Sequence, residues 1–222
     1  MANRFKAAVF DLDGTLLDTS DGLSTAVKYT IDHFGLSPLS DEQIRTFIGP
    51  PIKDSFARTY DPDEALLNEM VAVFRDRYKT EDLLKAVPYD GIYEVLAKLK
   101  DAGIKPAIAT YKRQDYATMI LEHFHFNDYT DIMCGSDFDS KLRKHDIIRN
   151  AVTAAGINDY SQAVMIGDSD NDAVGAEKTG MLFIGVTYGF GFRSAEDVNK
   201  YSNIGTADLP EQIMKIITGE KI

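Results

Sequence analysis

Two groups of acids each follow a short apolar run. Asp11-Leu12-Asp13-Gly14-Thr15 comes after residues 6–10, and Gly167-Asp168-Ser169-Asp170-Asn171-Asp172 comes after residues 163–166. Carboxylates this close repel one another, and one of them takes up a proton unless a cation compensates. Mg²⁺ is such a cation, because it prefers oxygen donors and few protein contacts. Gly14 permits a turn that leaves both Asp11 and Asp13 facing a crevice. An acid beside a helix start is often only a cap. A cap accounts for one acid, however, not for Asp168, Asp170 and Asp172 within five positions. An EF-hand loop is excluded, because its required sixth-position glycine is Ala173 and no helix precedes the acids.

Two further elements complete a possible phosphate chemistry. Thr110, followed by Tyr111 and Lys112, stands after the apolar run 106–109, where a hydroxyl could hydrogen-bond a phosphate oxygen. Lys141 and Lys144 lie in a basic turn before a helix at 146–155, and either could neutralise a transferring phosphoryl group.

These residues need a scaffold that gathers distant segments. Apolar runs at 6–10, 106–109, 132–134, 163–166 and 182–186 suit strands buried on both faces. Amphipathic helices are expected between them at 92–100, 116–124 and 146–155. The alternation predicts an α/β fold, a Rossmann-like parallel sheet flanked by helices. In such sheets ligands bind beyond the carboxyl ends of the strands, where all four elements fall. Residues 18–86 break the rhythm. Leu23, Ala26, Val27, Ile31 and Phe34 lie at helical spacing, as do Leu66, Leu67, Met70, Val71 and Phe74, with Gly49-Pro50-Pro51 a turn between them. We read this region as a helical cap subdomain inserted after the first strand, leaving 1–17 and 87–222 as the core.

The formal net charge is −11, which repels a nucleic-acid backbone and requires local positive charge at any phosphate site. A single cysteine, Cys134, permits no intrachain disulfide and fits a reducing cytosol; we read it as a small buried hydrophobe. No apolar stretch is long enough to span a membrane, and a cytoplasmic protein, monomeric or homodimeric, is expected.

In combination and in this order, DLDGT at 11–15, Thr110, Lys144 and GDSDND at 167–172 resemble the four motifs of the haloacid dehalogenase-like superfamily of phosphatases. The likeness covers essentially the whole chain, and its length and the stretch GSDFD at 135–139 are similar to the phosphoglycolate phosphatase-like branch. The resemblance implies that Asp11 is a nucleophile and metal ligand. Asp13 would be general acid and then base, with its carbonyl oxygen on the metal. Thr110 and Tyr111 would bind phosphate, and Lys144 would balance charge between Asp11 and the phosphoryl oxygens. Asp168 would be a direct Mg²⁺ ligand, and Asp172 would orient Lys144 or metal-bound water. Tyr111 departs from the pattern, which more usually has a small or amide residue there. Lys53, just past the Gly49-Pro50-Pro51 turn, is a candidate for contacting the rest of the substrate. The activity implied is hydrolysis of a small phosphorylated metabolite (phosphoglycolate-like, sugar phosphate or nucleotide) through an aspartyl phosphate. Phosphomutase or pyrophosphatase activity would use the same acids. A response-regulator type of signalling domain also pairs acids with Thr, Lys and Mg²⁺, but it is much shorter and its paired acids are adjacent.

Overall fold

The computed structural model of the chain describes residues 4–138 and 141–220. It forms two compact units, one from Met1–Leu17 with Pro88–Ile222, the other from Asp18–Val87.

The first unit is built on six parallel strands in the order β5-β4-β1-β6-β7-β8. These are β1 (Ala7–Phe10), β4 (Lys105–Arg113), β5 (Met133–Ser136), β6 (Ala163–Gly167), β7 (Leu182–Val186) and β8 (Gly205–Ala207). Two short strands, β2 (Leu17–Asp18) and β3 (Val87–Pro88), pair apart from this sheet. Every residue of β1 and β6 is buried, as their unbroken apolar sequence requires of central strands covered on both faces. The chain starts at β1, builds outward through β4 and β5, then returns to β6 on the other side of β1. That reversal creates a switch point at the carboxyl ends of β1, β4 and β6.

The helices of this unit are α5 (Ile92–Asp101), α6 (Gln114–His123), α7 (Lys144–Ala154), α8 (Asp170–Thr179), α9 (Ala195–Val198) and α10 (Glu211–Thr218). Ile147, Ile148, Ala151 and Val152 of α7 pack with Ala7, Val9, Ala107, Ala163 and Met165 in one core.

The structure moves the end of one strand and the start of one helix and adds a strand. The strand expected at 106–109 runs on through Thr110–Arg113, because its backbone keeps pairing with β5 as far as Ser136; the apolar letters mark only the buried part. Register slips between Ala109 and Arg113. The helix expected from 146 begins at Lys144, and Asp146 lies in its first turn, accepting from the Arg143 N–H at 3.1 Å. Strand β8 has three residues and no apolar run to announce it. Of the GSDFD stretch, Asp139 lies outside the described residues.

The second unit is helical, as its sequence spacing predicts: α1 (Ser20–His33), α2 (Asp41–Arg45), α3 (Ile52–Tyr60), α4 (Glu64–Arg77) and a π-helical turn at Tyr78–Asp82. Asp63 caps α4 by accepting from the Leu66 N–H at 2.8 Å. Phe47, Phe56, Phe74 and Tyr78 form a chain of ring contacts through its core. Buried Asp82 is paired with Arg77 and Lys85, at 2.8 and 2.7 Å. Among the described residues no helix is long and apolar enough to cross a membrane.

Candidate active site

Asp11 follows β1 directly, and its backbone N–H donates to the Ile166 carbonyl of β6 at 2.9 Å. The next residues fold tightly, with the Leu12 carbonyl accepting from the N–H groups of Thr15, Leu16 and Leu17. Gly14 has φ +81°, a conformation costly for any residue with a Cβ. A Cβ on Gly14 would also collide with the Asp168 carboxylate, so this turn and the end of β6 touch directly.

The second acidic cluster opens α8. Asp168 Oδ2 accepts from the backbone N–H groups of Phe190 and Gly191, at 2.7 and 3.1 Å. Asp172 uses both oxygens: Oδ2 accepts from the Ser169 N–H and hydroxyl at 3.1 and 2.7 Å, and Oδ1 faces the Lys144 ammonium at 2.7 Å. The same ammonium lies 2.7 Å from Asp11 Oδ1. Apart from Lys144, neither Asp11 Oδ1 nor Asp172 Oδ1 has a hydrogen-bond partner among the described residues. Lys144 is the first residue of α7, and its backbone N–H donates to the Tyr111 hydroxyl at 3.0 Å. Lys141 is placed differently: its backbone N–H donates to Asp137 Oδ1 at 2.7 Å, in the turn ahead of the helix.

Carboxylate oxygens of Asp11, Asp168 and Asp172 therefore come within 4.8 Å of one another, all three residues buried. With all three carboxylates ionised, one ammonium leaves two negative charges uncompensated. Burial, with Asp172 and Asp168 as neighbours, pushes Asp11 up to about 8 against the pull of Lys144. Burial and Asp172 push Asp168 up to about 7, although two backbone N–H bonds oppose the shift. Burial works against the Lys144 charge, but Asp11 and Asp172 outweigh it and hold the ammonium above its usual range. A buried, oxygen-only cluster short of two positive charges fits a hard divalent cation such as Mg²⁺.

Asp13 is held separately. Its Oδ1 lies 3.0 Å from the ammonium of Lys112 on β4, with the two side chains only 9% and 5% exposed. Thr110 is buried, and its hydroxyl oxygen accepts from the Lys112 N–H at 3.1 Å.

The family model of haloacid dehalogenase-like hydrolases matches residues 8–186. The chain belongs to this family. It is 35% identical to a 5′-nucleotidase of Pseudomonas aeruginosa, over 86% of this chain and 86% of that protein. It is also 35% identical to a phosphoglycolate phosphatase of Agrobacterium fabrum, over 82% of this chain and 81% of that one. The crystal structure of a predicted phosphatase from Clostridium acetobutylicum superposes with a TM-score of 0.87 at 37% identity, covering 96% of this chain and 98% of the other.

Of the residues singled out in the sequence, Asp11, Asp168, Asp172 and Lys144 come together, while Asp13 follows β1 and Thr110 lies within the neighbouring β4. Tyr111 spends its hydroxyl on Lys144. Lys53 sits on α3 and donates to Asn68 Oδ1 of α4 at 3.0 Å, a contact within the helical unit. Sequence reasoning missed Lys112, which reads as one of two adjacent basic residues in Tyr111-Lys112-Arg113. It missed the loop at 188–191 as well, where Tyr188 donates to the Thr15 carbonyl at 3.0 Å and backbone N–H groups hold Asp168. The glycines flanking Phe190 are the one signal that could have found that loop: a Cβ on Gly189 would collide with the Gly14 carbonyl and the Asp168 carboxylate.

Proposed function

We propose that the protein is a Mg²⁺-dependent phosphatase that hydrolyses a small phosphorylated metabolite through a phosphate ester on Asp11. The observation that carries this reading is the buried cluster of Asp11, Asp168 and Asp172, served by one lysine and lacking two positive charges. Its relatives' names, a 5′-nucleotidase and a phosphoglycolate phosphatase, support small phosphomonoesters as the substrate class.

In this reading Asp11, Asp168 and the Asp13 carbonyl hold the cation. When bound, it supplies charge that offsets the phosphoryl oxygens. Asp168 has Oδ2 occupied by Phe190 and Gly191, which leaves Oδ1 as its ligand atom. Asp172 has both oxygens engaged, which suits it to orienting Lys144. Lys144 fixes Asp11 Oδ1, so Oδ2 attacks phosphorus. An Asp11 O–P bond forms as the P–O bond to the leaving group breaks, and Asp13 gives its proton to the departing oxygen. Asp13 then takes a proton from water as the water oxygen bonds phosphorus and the Asp11 O–P bond breaks, which regenerates both acids. Thr110 donates its hydroxyl proton, and Tyr111 its backbone N–H, to phosphoryl oxygens, while Lys144 balances their charge.

The test is a phosphate-release screen over phosphomonoesters, with Mg²⁺ and with chelator. Mg²⁺-dependent release is expected, and Asp11→Asn should lower it by at least about a thousandfold while the circular dichroism spectrum is unchanged. Metal-independent release, or wild-type turnover by Asp11→Asn, would refute the reading. An isomerised product without inorganic phosphate would identify a phosphomutase instead.

A further inference from the structure

We propose that Lys112 is a positioning residue for Asp13, holding its carboxyl in line for the two proton transfers; this rests on reading Asp13 as the acid and base. Each acid at the site has its own holder. Asp11 and Asp172 share Lys144, and Asp168 has the Phe190 and Gly191 N–H groups. Asp13, outside that cluster, has Lys112 at 3.0 Å. The pair is nearly enclosed, so a lysine here is not a solvated surface charge.

The backbone explains how a β4 lysine reaches a β1 acid. The strands are neighbours with Phe10 opposite Ile108, so Asp13 and Lys112 lie just beyond the paired ends. Past that point β4 slips register against β5 on its other side, and the Thr110 hydroxyl accepts from the Lys112 N–H. From there the Lys112 ammonium lies 3.0 Å from Asp13 Oδ1. An ammonium is a compact point charge, and it engages Asp13 through Oδ1.

Proton transfer requires the acid within hydrogen-bond reach of the reacting atom, and small misplacements cost rate heavily. Loss of Lys112 should therefore slow the steps that need Asp13 more than the attack by Asp11. p-Nitrophenyl phosphate separates the two, because its phenolate leaves without a proton whereas hydrolysis of the Asp11 phosphate still needs the base.

The experiment is rapid-mixing kinetics of the full chain with Mg²⁺ and p-nitrophenyl phosphate. For Lys112→Met we expect a burst of p-nitrophenolate approaching one per enzyme at close to the wild-type rate. A steady state about ten- to a hundredfold slower than wild type should follow, within the range of general acid–base effects. Lys112→Arg, which keeps a cation, should recover most of the steady state. Lys112→Gln should behave like Lys112→Met and serves in its place if that variant does not fold. An unchanged steady state, or burst and steady state falling together, overturns the proposal. If the wild-type protein forms no phosphoenzyme at all, the phosphatase reading falls and takes this one with it. A wild-type phosphoenzyme without the burst in the variants overturns Lys112 alone.

Discussion

Asp11 and Asp168 are held near neutral pKa values mainly by burial, and that has a measurable consequence for stability. Each binds a proton more tightly in the folded chain than in the unfolded one. The stability gained this way is complete below the ordinary carboxylate range and is lost as pH rises through about 7 and about 8. The chelated protein should therefore melt at progressively lower temperature from roughly pH 4 to pH 8. Added Mg²⁺ should supply the missing charge and raise the melting temperature most at the alkaline end. Calorimetry across that range, with chelator and with Mg²⁺, checks the prediction; a chelated melting temperature that rises with pH would contradict it. These acids were legible as candidates because each stands directly after an apolar run. Lys112 was not, because nothing in the letters separates a lysine enclosed against an acid from one in water. The Phe190 and Gly191 contacts were hidden for another reason: they come from the backbone, which every residue carries.

Among the elements, those the sequence announced clearly are the central ones. The runs behind β1, β6 and β7 are apolar on both faces, and their positions follow from that pattern. Edge elements carry weaker marks, and β8, with three residues, carries none. The end of β4 was underread, since a strand leaving the core turns polar while its ladder continues. The loop after β7 fits tightly. It lies so close to the turn after β1 that Gly189→Ala would drive a methyl group into the Gly14 carbonyl and the Asp168 side chain. We expect that substitution to cost about 1–3 kcal/mol of stability, as overpacking does, and to weaken Mg²⁺ binding by displacing Asp168. Denaturant unfolding and a Mg²⁺ titration measure the two effects; wild-type values in both would show that the loop yields freely.

At the scale of the whole molecule, the surplus of negative charge means that an anionic substrate meets a net repulsion that positive charge at the site must offset. Lys112 and Lys144 are buried beside the acids they serve. The sheet fixes something more durable. Phe10 pairs with Ile166, so Asp11 and Asp168 emerge from adjacent strands whose spacing is about 4.8 Å. The ladder thus acts as a ruler, and a slip of one residue would turn Asp11 to the opposite face. Amides of Ala8–Phe10 and Val164–Ile166 should be among the slowest in the chain to exchange with deuterium, and slower still with Mg²⁺ present; rapid exchange there would break the argument. The backbone spacing beneath the two acids then survives any fluctuation that spares these central strands. Changes in the flanking loops should tune affinity for the cation, and only loss of the sheet should abolish it.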